Sequence, residues 1–149
     1  MTKSQTWGKS FATTILQILN LVECGPRVTD NVGVALSAVS SLESINFSWL
    51  TTISDISLLA IAENCHNLKE INVTGCELMT RYGVHAFSRH KSLQVLILAS
   101  CYNVYGDDIE QAMLECPNLL YLELEKGLRY WILDGLLERI AGHCRIEWL

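Results

Sequence analysis

Six cysteines, four histidines and one Gly-Lys-Ser triplet are the residues of this 149-residue chain whose types and spacing could do chemistry. Cys24, Cys76 and Cys101 each follow a short run of alternating apolar residues, while Cys65, Cys116 and Cys144 each precede the next unit. No Cys-x-x-Cys occurs, and only Cys65-His66 sets two ligand types side by side. Neither a zinc site nor a disulfide framework is legible in that spacing. Thiols at fixed places read instead as small buried residues, reduced in a reducing compartment. His66, His85, His90 and His143 have no serine or cysteine nucleophile at a legible spacing, and read as solvated or packed side chains. Gly8-Lys9-Ser10 would end a phosphate-binding loop only with a glycine five positions before the Gly-Lys pair; Lys3 stands there. The chemistry-bearing residues therefore predict no catalytic group, no metal and no cofactor.

The elements that hold these residues follow one pattern. It runs Leu16-Leu19-Leu21-Cys24, Leu42-Ile45-Phe47-Leu50, Leu68-Ile71-Val73-Cys76, Leu93-Leu96-Leu98-Cys101 and Leu119-Leu122-Leu124-Gly127. Successive first positions lie 26, 26, 25 and 26 residues apart. The apolar alternation has the period of a strand with one face buried, and predicts strands near 18–22, 44–48, 70–74, 95–99 and 121–125. Helix-start signals follow at Thr29-Asp30, Ser54-Asp55, Thr80 and Gly106-Asp107. Amphipathic stripes come next: Val32, Ala35, Leu36, Val39; Ile109, Ala112, Met113, Cys116; Leu133, Leu136, Leu137, Ile140. About five strand–turn–helix units of 25–26 residues predict an α/β leucine-rich-repeat solenoid with parallel strands on the concave face. One domain spans 1–149, with repeats from about residue 16, and residues 146–149 read as the opening of a sixth.

The stretch Cys65-His-Asn-Leu-Lys-Glu-Ile-Asn-Val-Thr-Gly-Cys-Glu-Leu-Met-Thr-Arg-Tyr-Gly-Val84 resembles the cysteine-containing subtype of leucine-rich repeat. Cys116-Pro-Asn-Leu-Leu-Tyr-Leu-Glu-Leu124 is similar to its first half and Val28-Thr29-Asp30 to its turn. That subtype is best known from F-box proteins, where the solenoid selects substrates for a cullin–RING (SCF) ubiquitin ligase. The resemblance implies a non-catalytic protein–protein recognition module, acting in ubiquitin-dependent turnover if a partner or further sequence supplies the F-box. No segment before Phe11 has the leucine-, proline- and glutamate-rich look of an F-box. A free-standing repeat adaptor or competitor without a ligase connection is the alternative.

Composition narrows the partner. Half of the residues are apolar, which excludes disorder, and the length allows about two-thirds of the unfolded surface to be buried. The net charge of −5, with no long run of either sign, points away from nucleic acid and membrane surfaces. The apolar stretch from Phe11 to Val22 contains Thr13, Thr14, Gln17 and Asn20 and is too short to span a bilayer. The chain is therefore expected in the cytoplasm or nucleus, bound to a protein partner or substrate.

Such a partner would meet the outward strand positions: Ile18, Asn20, Val22; Ser44, Asn46, Ser48; Glu70, Asn72, Thr74; Val95, Ile97, Ala99; and Tyr121, Glu123, Glu125. Val95 and Ile97 make an apolar strip beside Tyr121, rimmed by Glu123 and Glu125, the pattern of a protein contact. The alternative is that flanking loops or a longer parent chain cover it. Asn46 and Asn72, with Asn20, should stack side by side on the same face; their glycosylation sequons, inside strands, read as chance. Trp49, Tyr102 and Tyr105 lie in turns past the strands and extend the surface, whereas Trp131 is expected in the core.

Overall fold

A computed structural model describes residues 16–116 and 118–149. The Gly8-Lys9-Ser10 triplet and the segment before Phe11 lie outside the described residues. Six short strands, β1 (Ile18–Asn20), β2 (Ser44–Asn46), β3 (Glu70–Asn72), β4 (Val95–Ile97), β5 (Tyr121–Leu124) and β6 (Arg145–Trp148), form one all-parallel sheet in chain order. Helices α1 (Asp30–Leu36), α2 (Asp55–Asn64), α3 (Arg81–Ser88), α4 (Gly106–Glu115) and α5 (Asp134–Ala141) occupy the intervals between them. A 3-10 turn, Lys126–Trp131, intervenes between β5 and α5. The first four helices pack in sequence, each against the next. The architecture is α/β.

The register explains why these residues make strands. Leu19, Ile45, Ile71, Leu96, Leu122 and Ile146 stand in one row across the sheet. The second row of the pattern, Phe47, Val73, Leu98 and Leu124, is buried against the helices, with Leu58, Ile61, Val84, Ile109 and Met113 packed into the same core. Each buried aliphatic side chain contributes about 1.5–3 kcal/mol, enough to hold a three-residue strand that would not form alone. Hydrogen bonds repeat unit by unit: the amides of Phe47 and Val73 donate to the carbonyls of Asn72 and Ile97, each 2.8–3.0 Å away.

Helix starts are tied together laterally. Asp30 at the first turn of α1 accepts from the Ser54 amide and hydroxyl and from the Ser57 hydroxyl. Asp55 does the same one unit on, taking the amides of Thr80 and Gly83 and the Thr80 hydroxyl. At the next interface Arg81 occupies the corresponding place, and a cation cannot accept. The Tyr105 amide is satisfied instead from within its own helix, by Asp108 at 3.0 Å.

The structure differs from the sequence expectation at several residues. Ser48 and Ala99, expected to face outward, are buried, at 5% and 2% exposure. The strands end at Asn46 and Ile97, and the next residues turn rather than continue the pleat: Trp49 and Ser100 have φ of 63° and 54°. Ser48 is drawn in by donating its amide and hydroxyl to the Asn46 side chain. Trp131, expected in the core, is 75% exposed, because the 3-10 turn carries it over the surface before α5 begins. Leu133 stands before the first helical residue of α5 and is likewise exposed. Ala35 and Cys24, in the unit of the edge strand β1, are exposed too.

Candidate functional site

On the sheet face opposite the core, two rows of outward side chains line up. One runs Ile18, Ser44, Glu70, Val95, Tyr121, Arg145; the other runs Asn20, Asn46, Asn72, Ile97, Glu123, Glu147. The structure therefore brings Val95, Ile97, Tyr121 and Glu123 together on adjacent strands, all half-buried. The Tyr121 hydroxyl donates to Glu123 at 2.9 Å, and that bond, with burial and nearby Glu147, raises its pKa above the ordinary tyrosine value. Arg145 lies over the Tyr121 ring, 6.0 Å from its centre, and pairs with Glu147 at 3.2 Å. The result is a small apolar strip flanked by a fixed Tyr–Glu pair and an exposed ion pair.

Glu125 does something else. Its carboxylate accepts the Ser100 amide at 3.1 Å, the position at which the preceding turns use a backbone carbonyl. It fastens the turn after β4 to the end of β5 and is half-buried there. The asparagine row is present, but its carboxamide oxygens are engaged: Asn20, Asn46 and Asn72 accept the amides of Val22, Ser48 and Thr74. These side chains close the strand ends, as asparagine does when it mimics a backbone turn.

Four of the six thiols link one unit to the one before. Cys65, Cys76, Cys101 and Cys116 are buried, and each donates to a carbonyl of the preceding unit: Ser37 and Val39, Phe47, Val73 and Phe87. Burial pushes the Cys76 thiol up to about 11 and Cys101 to about 12, despite partly opposing backbone hydrogen bonds; Cys144 goes to about 11, with Cys116 adding to its burial. A thiol held protonated at neutral pH is a poor nucleophile and metal ligand. His90 replaces cysteine in one unit and does its work, its Nε2 lying 2.9 Å from the Cys65 carbonyl while Nδ1 accepts the Ser92 amide. Among the described residues no three His, Cys, Asp or Glu side chains are grouped to hold a metal ion, and no helix is long and apolar enough to cross a membrane.

No family model matches this chain. The geometry offers a second surface, of which the sequence marks Tyr102 and Tyr105 but places Trp131 in the core. The turn after β4 and the 3-10 turn after β5 enclose an open groove of about 650 Å³. Tyr102, Tyr105 and Trp131 line it, all more than 60% exposed, with Leu128, Asp107 and Glu125. Tyr130, next to Trp131, is 88% exposed. The available signal was the adjacent pair Tyr130-Trp131, which no earlier turn carries.

Proposed function

We propose that the chain is a non-catalytic protein-recognition module, a leucine-rich-repeat solenoid of the cysteine-containing subtype. It is similar in kind to the substrate-selecting part of an F-box/leucine-rich-repeat protein of an SCF ubiquitin ligase. The repeat reading is supported by the unit-by-unit recurrence of contacts: the same strand row, the same lateral backbone bonds, and thiols donating one unit back. The non-catalytic reading is supported by thiols held protonated and by a buried histidine with both ring nitrogens engaged.

The observation that carries recognition is the strip on the open sheet face. Val95, Ile97 and Tyr121 offer apolar area, while Glu123, Arg145 and Glu147 supply fixed charge at its border. An apolar centre with a polar rim suits a protein contact. The partner meets the concave face in the cytoplasm or nucleus. In a ligase the F-box would come from a partner or from further sequence; without one, the module acts as an adaptor or competitor.

The test is capture from cell extract. Ile97→Ser with Tyr121→Ser removes the anchors without opening a cavity, so the fold should survive and capture should be lost. His85→Ala with Arg89→Ala, on the helical side, should leave capture intact. The reverse result would move the site to the helices.

A further inference from the structure

The groove between the turn after β4 and the 3-10 turn has a composition that folding does not require. Tyr105 stands immediately before α4, where Ser54 and Thr80 stand before α2 and α3. Those hydroxyls accept a helix amide, from Ile56 and Tyr82 respectively, and a hydroxyl at that position is the better cap by about 1 kcal/mol. Trp131 exposes an indole, yet its own main chain is fixed: a Cβ on Gly106 would come within 2.7 Å of the Trp131 Cβ and carbonyl oxygen. The backbone is thus held tightly against α4 while the ring faces solvent. Large exposed rings on a rigid frame lose little entropy on binding, which favours recognition.

The charge lining the groove selects the ligand. Its two ionised groups, Asp107 and Glu125, are both carboxylates. Aromatic faces attract cations through the ring quadrupole, best for tryptophan, and adjacent carboxylates add direct attraction. We propose that this groove takes the cationic side chains of a basic peptide segment, arginine or lysine, with the charged head between the Tyr102, Tyr105 and Trp131 rings and Asp107. The proposal rests on the reading of the chain as a protein-recognition module, but assigns it a surface distinct from the sheet face and a partner chemistry.

Isothermal titration of the full chain with an acetylated Gly-Ser-Arg-Gly-Arg-Ser-Gly amide, against the same peptide carrying citrulline for arginine, tests it. Citrulline keeps the shape and removes the charge. The arginine peptide should bind, the citrulline peptide should bind about tenfold more weakly or not at all, and added salt should weaken the first. Trp131→Ala, which keeps the Cβ against Gly106, should cost about tenfold, and Asp107→Asn should also weaken binding; Tyr82→Ala, an exposed tyrosine outside the groove, should change nothing. Tyr102→Ala serves as the second groove variant should Trp131→Ala melt early. Equal binding of the two peptides, unaltered binding by the Trp131 and Tyr102 variants, or no binding of either peptide at millimolar concentration would overturn the proposal. Loss of peptide binding with continued protein capture would remove the groove and keep the recognition reading. Peptide binding by a chain that captures nothing would do the opposite.

Discussion

Five of the six cysteines are buried, and four of them donate to the unit before. Their chemistry follows from that placement. A disulfide reagent at pH 8 should modify Cys24 quickly, since it alone is exposed, and the others only as fast as the protein opens. Mass spectrometry over time should show one rapid addition; two or more would show that the buried set is mobile. The same burial sets an alkaline limit on stability. An unfolded thiol ionises near 9.0, while burial makes Cys76 and Cys101 hold their protons to about 11 and about 12. The folded chain then binds more protons than the unfolded one, so stability is full below pH 9 and falls as pH rises through that window. Melting temperatures of the chain should decline from pH 9 upward, and a Cys76→Ala, Cys101→Ala variant should decline less steeply. A flat profile would mean the thiols are not buried in solution.

At the scale of the element, the helices are joined by side chains as much as by apolar contact. Asp55 takes three hydrogen bonds from the start of α3: the Thr80 amide and hydroxyl, and the Gly83 amide, which it shares with the Thr80 carbonyl. Asp55→Ala leaves the Thr80 amide and hydroxyl without their acceptor and should cost about 1–3 kcal/mol. Asp107→Ala, also in a first turn but exposed, should cost only about 0.3–1 kcal/mol. Denaturant melts of the two variants compare them, and equal losses would show that the lateral bonds do not matter. These elements were largely legible beforehand. The spacing of Leu42, Leu68, Leu93 and Leu119 placed every unit, and Thr29, Ser54 and Thr80 marked helix starts that the structure places within one residue. What was not legible follows from strand length. Alternation implies that Ser48 and Ala99 point outward, yet strands of three residues end before them, and a left-handed turn residue reverses the rule. Trp131 reads as core because it leads into the last amphipathic helix. The 3-10 turn that exposes it depends on how Lys126–Trp131 packs against α4, and the aromatic pair Tyr130-Trp131 does not by itself say which way the rings face.

At the scale of the whole molecule, two surfaces flank the same end of the sheet. The strip on β4, β5 and β6 was legible in outline, since Val95, Ile97, Tyr121 and Glu123 follow from strand parity alone. The engagement of Glu125 with Ser100, and of the asparagine oxygens with their own turns, was not, because those bonds depend on turns rather than on period. We propose that partners are held on the sheet face. Hydrogen exchange of the chain, alone and in the complex recovered from extract, measures this most directly. Exposed backbone and side chains of β4 to β6 should gain cover in the complex, giving protection in peptides spanning 95–99, 121–125 and 145–148, with α2 and α3 unchanged. Protection confined to 55–64 and 81–88, with the strand peptides unaltered, would place the partner on the helices and contradict the account.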